Sequence, residues 1–422
     1  VKDRIFSRVG VDKISKNART GFHRVKIRGR KKIKDKIDEC LKDPNIEYAE
    51  PNYMVYLHAV PNDPFYSYQW NLDNPVSGGI NMEEAWNISS SHEQIIVAVV
   101  DTGVAYEDYT KVVSAFRTEK YYRAPDLAQT KFVPGYDFVE NDTHPNDDHG
   151  HGTHVTGTIA QSTNNNLGVA GIAYNTSIMP VKVIKKDGSG SSFDLADGIT
   201  WATDHGAKVI NLSLGSGSSS ISVRNACEYA FSHGTTLVCS AGNEDAGQVG
   251  YPARYDPCCM AVGATRLDET LSFYSNYGEG LDVVAPGGDL NVDQNADGYG
   301  DGILQQTLDP VDRRAFYFGF YQGTSMSAPH VSGIAALLLS AGVASTPQEV
   351  RQAIQSTAKD LGAPGYDSEY GWGLVDAAAA LNFNGSTPPP PPPPPPANLV
   401  PVAKPGGPYT GVVGNSINFN GY

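Results

Sequence analysis

Residues 147–154 read Asp-Asp-His-Gly-His-Gly-Thr-His, which puts three histidines within six positions beside two aspartates. An imidazole can ligate zinc or move a proton, and the two chemistries make different demands on its neighbours. A zinc centre needs His149, His151 and His154 to converge. Gly150 and Gly152 instead suit a backbone that another segment approaches closely, and no second ligand cluster follows. His151 is therefore read as a proton-transfer base, His154 as a packed helical residue and His149 as a loop residue. Such a base needs a nucleophile to deprotonate and a group that fixes its tautomer.

Two other stretches supply candidates. Asp101 ends an apolar run in Val99-Val100-Asp101-Thr102-Gly103, and Ser325 lies in Gly323-Thr324-Ser325-Met326-Ser327-Ala328-Pro329-His330. Each alone has an ordinary explanation: an aspartate caps helices, a histidine sits satisfied in a core, a serine beside Gly and Thr makes a turn. Together, in the order Asp, His, Ser, they match one of the known triad arrangements.

Residues so far apart in the chain meet only if a scaffold gathers strand ends. Apolar runs at residues 95–100, 178–184, 208–213, 236–240 and 281–285 alternate with helical patterns such as Asp194–His205 and Ser222–His233. Such alternation predicts an α/β fold, a mostly parallel sheet with helices on both faces. Functional groups of such sheets collect at the carboxyl ends of the strands.

With these motifs in this order, residues 60–383 resemble the subtilisin-family serine proteases. The resemblance implies a catalytic domain over 60–384 in which Ser325 attacks a peptide carbonyl, His151 takes its proton and Asp101 steadies the imidazolium. Asn243, in Ser240-Ala241-Gly242-Asn243, matches the family's oxyanion-hole segment, with the Ser325 N–H as second donor. Substrate is expected to lie extended against Gly188-Ser189-Gly190 and Ser213-Leu214-Gly215. Ala253, in Tyr251-Pro252-Ala253, matches the floor of the first specificity pocket, where the absence of charge implies an apolar or broad preference.

Calcium is the expected cofactor. The resemblance puts a strong site at Asp63, Asp126 and the Asn165 side chain, with the carbonyls of Ser162, Leu167 and Val169. A second, thermitase-like site would use Asp137, Glu140 and Asp142, with Asn146; Glu140 there replaces a shorter acid. A third reading comes from spacing alone: Asp293, Asn295, Asp297, Gly298 and Asp301 imitate a calcium-binding loop, although Leu304 stands where the bidentate glutamate belongs.

The two ends of the chain differ from its body. Residues 1–58 hold 15 Lys and Arg against 8 Asp and Glu, a net of +7 that leaves −21 on the remainder of a chain whose total is −14. A basic head attracts an acidic body, and residues 1–59 resemble the tail part of a subtilisin propeptide, which implies an intramolecular inhibitor cut off by the enzyme itself near Ala59. This head reads as a small α+β unit: a strand at Val25–Ile27, a helix with Ile33, Ile37 and Leu41 on one face, and a strand at Ile46–Ala49. At the other end a linker, 385–397, holds nine consecutive prolines, a polyproline rod of about 28 Å at ~3.1 Å per residue. Residues 398–422 resemble the start of a polycystic-kidney-disease-type β-sandwich, which implies engagement of insoluble substrates. An acidic body argues against nucleic-acid binding, and no run of eighteen apolar residues spans a membrane. Cys227, Cys239, Cys258 and Cys259 permit two disulfides or stay as buried thiols. The expectation is a secreted zymogen acting on proteins and peptides; the rival reading, an idle binding protein on the same fold, lacks a reason to keep Asp101, His151, Ser325 and Asn243 together.

Overall fold

A computed structural model describes residues 6–16, 23–28, 33–46, 48–50, 60–72, 78–312 and 314–385. The self-cleavage segment around Ala59, the proline run and the β-sandwich start therefore lie outside the described residues. The chain forms two compact units, Val1–His58 and Ala59–Tyr422.

In the first unit β1 (Val11–Lys16) pairs antiparallel with β2 (His23–Ile27), and α1 spans Ile33–Leu41. Val9, Val11 and Cys40 form its small core, with Phe6, Val25, Ile46 and Ala49 packed on it. Among its described residues the strand expected at Ile46–Ala49 does not form: the Ile46 N–H closes a turn on Asp43 O (2.9 Å), and residues 48–50 are irregular. The apolar alternation there reports packing onto the cluster rather than pairing. The sequence carries no clear strand signal at β1, where lysines and an aspartate interrupt the apolar residues.

In the second unit α2 (Met82–Trp86) precedes β3 (Ile96–Asp101), then come the hairpin β4 (Tyr109–Ser114) and β5 (Arg117–Tyr121), the short β6 (Lys131–Phe132) and β7 (Tyr136–Asp137), and α3 (His151–Ala160). They are followed by β8 (Ser177–Lys182), α4 (Ser192–Asp204), β9 (Val209–Leu212), α5 (Ile221–Ser232), β10 (Thr236–Ser240), β11 (Cys259–Thr265) and β12 (Val283–Pro286). The hairpin β13 (Ile303–Leu308) and β14 (Phe316–Tyr321) leads into α6 (Thr324–Ser340), and α7 (Pro347–Thr357) and α8 (Ala377–Leu381) complete the unit.

The main sheet runs β12-β11-β10-β9-β3-β8-β6, with β7 also on β8, and every pairing is parallel. Both faces are covered, so its strands are apolar throughout rather than alternating. Val97 and Val99 enter one core with Val155, Ile159, Val331 and Ile334; Ala98 and Val100 enter the other with Ile199 and Val223. Period-two side chains thus hold helices to both faces of β3. Strands with higher numbers extend one way from β3 through β9, and β8 and β6 lie the other way. That reversal opens a crevice at the carboxyl end of β3, where Asp101 sits. The subtilisin-like α/β architecture expected from the sequence is the observed one. All five cysteines are buried free thiols.

Candidate active site

Asp101 is the last residue of β3 and only 1% exposed. His151 is the first residue of α3, brought to it by a set of contacts around Asp147. The Asp147 carboxylate accepts the N–H groups of His149, Gly150 and Thr153 (2.9 Å each) and the Thr153 hydroxyl (2.6 Å), so it satisfies donors that a helix start leaves free. The Thr102 hydroxyl donates to Asp147 (2.9 Å) and accepts the Gly152 N–H (2.9 Å), joining the end of β3 to the start of α3. Two glycines are required here. Gly150 turns the chain at φ 107°, and a side chain at Gly152 would collide with Gly103 O and press on Asp101 Cβ.

The outcome is a 2.8 Å hydrogen bond between His151 Nδ1 and Asp101 Oδ1. An ionised carboxylate only accepts, so Nδ1 carries the proton and Nε2 keeps its lone pair. Burial lowers the His151 pKa, but the charge and hydrogen bond of Asp101, helped by Asp147, outweigh it and hold the group above the usual imidazole value. Lys182, buried at the end of β8, donates to Thr102 O (2.6 Å), Asp148 Oδ1 (2.7 Å) and Ile184 O (3.0 Å), tying the Asp101 and His151 segments to the cleft wall.

Ser325 is the second residue of α6, after Gly323, and its hydroxyl donates to Ser213 O at 3.1 Å; the Ser213 hydroxyl in turn donates to Ser325 O (2.8 Å). Asn243 projects from the loop after β10. Its Oδ1 accepts both the N–H (2.8 Å) and the hydroxyl (2.9 Å) of Thr324, which leaves the amide NH₂ facing away from the helix. An amide held this way and the orphan N–H groups of a helix start form a donor pair suited to an anion.

A cleft of about 660 Å³ carries Asp101, His149, His151, Gly188, Gly190, Ser213, Leu214 and Gly215 on its walls. Between Gly188 and Gly190, Ser189 is exposed, with its hydroxyl on Asp187 (2.6 Å). Ala253, expected as pocket floor, is fully buried beneath it; Tyr251, Pro252 and Tyr255 line the surface. Tyr255 and the serines at 216 and 218–220 also line the cleft, and the sequence marks them only by a Tyr pair four residues apart.

The three histidines of residues 149–154 do not converge. The His154 Nε2 lies 3.0 Å from both Ile303 O and Gly319 O, so it is the protonated nitrogen, and its ring stacks on Tyr321. Among the described residues no three His, Cys, Asp or Glu side chains are gathered as a metal centre.

The proposed calcium residues divide into three places. Asp63 (4% exposed) and Asp126 (0%) meet in the loop 162–169: Asp63 accepts the N–H of Asn164 (2.8 Å) and Asn165 (3.2 Å), and Asp126 accepts the Asn165 amide (2.8 Å) and the Val169 N–H (3.1 Å). No Lys or Arg among the described residues pairs with either, and burial pushes Asp126 up to about 7 with the Asp63 charge adding to it. Asn165 Oδ1 accepts the Leu167 N–H (2.8 Å). In the second place Asp137 binds its own loop through Val139 N–H (2.7 Å) and Glu140 N–H (2.9 Å), while Lys111 from β4 sits 3.3 Å from both Glu140 and Asp142; Asn146 donates to Glu107 (2.8 Å). The third, Asp293–Asp301, is a loop closed on its own N–H groups.

The comparisons with known proteins agree with this architecture. Residues 92–373 match the model of the subtilase family, and residues 2–52 match that of the fervidolysin N-terminal prodomain. The chain is 39% identical over 330 residues to a thermophilic serine proteinase of Bacillus sp. strain AK1, covering 78% of this chain and 71% of that one. It is 37% identical over 344 residues to a halolysin-like extracellular serine protease of Natrialba magadii, covering 81% and 56%. Among solved structures, proteases from Pseudoalteromonas arctica superpose with a TM-score of 0.65 at 33% identity, covering 77% and 99%. The chain belongs to the subtilase family and is a subtilisin-like serine endopeptidase carrying a prodomain. Among the described residues no helix is long and apolar enough to cross a membrane.

Proposed function

We propose that the chain is an extracellular zymogen whose mature form cleaves protein substrates through Ser325, His151 and Asp101. The observation that carries this reading is the buried Asp101 carboxylate holding His151 Nδ1 at 2.8 Å in the cleft whose wall, Ser213, receives the Ser325 hydroxyl. His151 Nε2 takes the hydroxyl proton as Ser325 Oγ bonds to the peptide carbonyl carbon, and Asp101 stabilises the imidazolium. The carbonyl oxygen gains the charge and meets the Asn243 amide and the Ser325 N–H. His151 then protonates the leaving amine, and water, deprotonated by the same imidazole, releases the acyl group.

Substrate backbone lies along Ser213–Gly215 and Gly188–Gly190, with its first specificity side chain against Tyr251 and Pro252. A cleft floor without charge supports an apolar or broad preference. The prodomain inhibits and is removed near Ala59; its +7 against −21 favours association.

Calcium fits the Asp63–Asp126 pocket: two buried carboxylates without a cationic partner among the described residues need one. Asp63, Asp126 and Asn165, with carbonyls of Ser162, Leu167 and Val169, would hold it, and its charge would clamp the loop. The second cluster has less need, because Lys111 already supplies a positive charge.

The test is hydrolysis of a protein substrate by purified native chain and by Ser325→Ala. Turnover and trimming near Ala59 are expected only in the native chain; trimming of the variant in a protease-free preparation would contradict self-processing.

A further inference from the structure

Residues 216–220 form an arch on the cleft wall, and its ends are fastened in ways its middle is not. At the near end Ser216 and Tyr251 exchange main-chain hydrogen bonds, the Ser216 N–H to Tyr251 O (2.8 Å) and the Tyr251 N–H to Ser216 O (2.9 Å). At the far end a side chain takes over. The Tyr255 hydroxyl accepts the Ser220 N–H (2.7 Å), donates to Ser220 O (2.9 Å) and lies 3.2 Å from Ser219 Oγ. Ser220 O also accepts the Arg224 N–H (3.0 Å), so the same hydroxyl grips the start of α5. Between the two ends Gly217, Ser218 and Ser219 are exposed, and among the described residues no main-chain hydrogen bond holds them.

Tyr255 is built as a fixed post for this arch. It is 4% exposed, its ring lies 4.9 Å from that of Tyr251, and the Arg224 guanidinium stands 5.3 Å over it. The arch, Tyr251 and Tyr255 all line the cleft. Ser213, at the other end of the same stretch of chain, touches Ser325. At ~3.3 Å per residue, an extended substrate paired along Ser213–Gly215 comes level with Ser216 about three residues from the bond to be cut.

We propose that Tyr255 is a positioning residue for substrate: its hydroxyl sets the place of the 216–220 arch, and through it the affinity for substrate residues remote from the cleaved bond, without touching the reacting atoms. This role rests on the substrate path along Ser213–Gly215 proposed above. Without the hydroxyl, the Ser220 N–H and carbonyl lose a partner that the small residues of the arch cannot replace, and the arch spreads over many conformations. A long substrate must then order it on binding, which weakens affinity. A short substrate never reaches it.

Tyr255→Phe tests the role, because it keeps the ring between Tyr251 and Arg224 and removes only the oxygen. The mature enzyme is assayed on two peptides with the same residue at the cleaved bond, one that reaches only Ser213 and Leu214 and one that extends past the arch. The native enzyme is expected to show a lower KM for the long peptide. The variant should keep kcat and the short-peptide KM within about twofold and raise the long-peptide KM about three- to tenfold, the size of one or two lost hydrogen bonds. In enzyme inactivated by a serine-directed reagent, amide hydrogen exchange at Ser220 should quicken in the variant. A long-peptide KM that stays native, a rise of equal size for both peptides, or native exchange at Ser220 overturns the proposal and leaves the substrate path standing. A native enzyme that gains nothing from the longer peptide contradicts the path along Ser213–Gly215 and the role of Tyr255 with it.

Discussion

His151 and His154 stand on the first turn of the same helix, three residues apart, and meet opposite surroundings. His151 faces a buried carboxylate at a strand end, which holds it above the usual imidazole value against its own burial. His154 faces the core, where burial pushes it down to about 3, its Nε2–H is shared by two backbone carbonyls and its Nδ1 is buried without a partner. One ring is set to gain a proton in the reaction, the other to refuse one. The difference lies in the partner each meets, since both share a helix start and residue type.

The comparison breaks first at His151. His151→Ala is expected to lower kcat by about 10⁶ and Asp101→Asn by about 10⁴, sizes known for the corresponding groups of serine proteases including subtilisin itself; equal and small losses in a peptide assay would remove the distinction between the two histidines. Asn243→Ala should cost about 10²–10³ in kcat with little change in KM, again the size known for the subtilisin oxyanion donor.

The pH profile sharpens it. Neutral His151 is the active form, so kcat/KM should fall as pH drops through a value above the ordinary 6.5, and Asp101→Asn should move that limb downward. His154 works on stability instead. Its folded pKa is depressed, so its contribution is present above about 6.5 and lost as pH falls toward about 3. His154→Phe should flatten that acid loss in thermal melts while costing about 1–3 kcal/mol near neutrality for the carbonyls left without their donor, with kcat of native order.

The smallest effect concerns Asp126. Its raised pKa makes the ion-free pocket costlier as pH rises from the usual carboxylate range to about 7, so a chelator should lower the melting temperature more at pH 8 than at pH 5. A chelator effect independent of pH would mean that Asp126 is not where the ion acts.

The sequence makes the catalytic side of this contrast readable because polar residues ending long apolar runs have no reason to be there in a buried parallel sheet. Asp101, His151, Ser325 and Asn243 all stand at such ends or at helix starts beyond them. Other parts give weaker signals. β11, Cys-Met-Ala-Val-Gly-Ala-Thr, is small-residue and lacks the β-branched pattern, although it is buried throughout. β13 hides two buried glutamines, Gln305 and Gln306; Gln306 accepts the Asp126 N–H (2.8 Å), a long-range satisfaction that no local pattern encodes. Lys111 likewise reaches Glu140 and Asp142 from a hairpin inserted between Asp101 and His151, so the second acidic cluster could not be separated from the first without the tertiary structure.

The central claim is that Ser325 is made nucleophilic by His151. Labelling of the mature enzyme by a fluorophosphonate, with the adduct mapped by mass spectrometry and its rate followed against pH, tests it most directly. The account predicts a single adduct on Ser325 whose rate falls with His151 protonation and vanishes in His151→Ala; an adduct elsewhere, or on Ser325 at an undiminished rate in that variant, would contradict it.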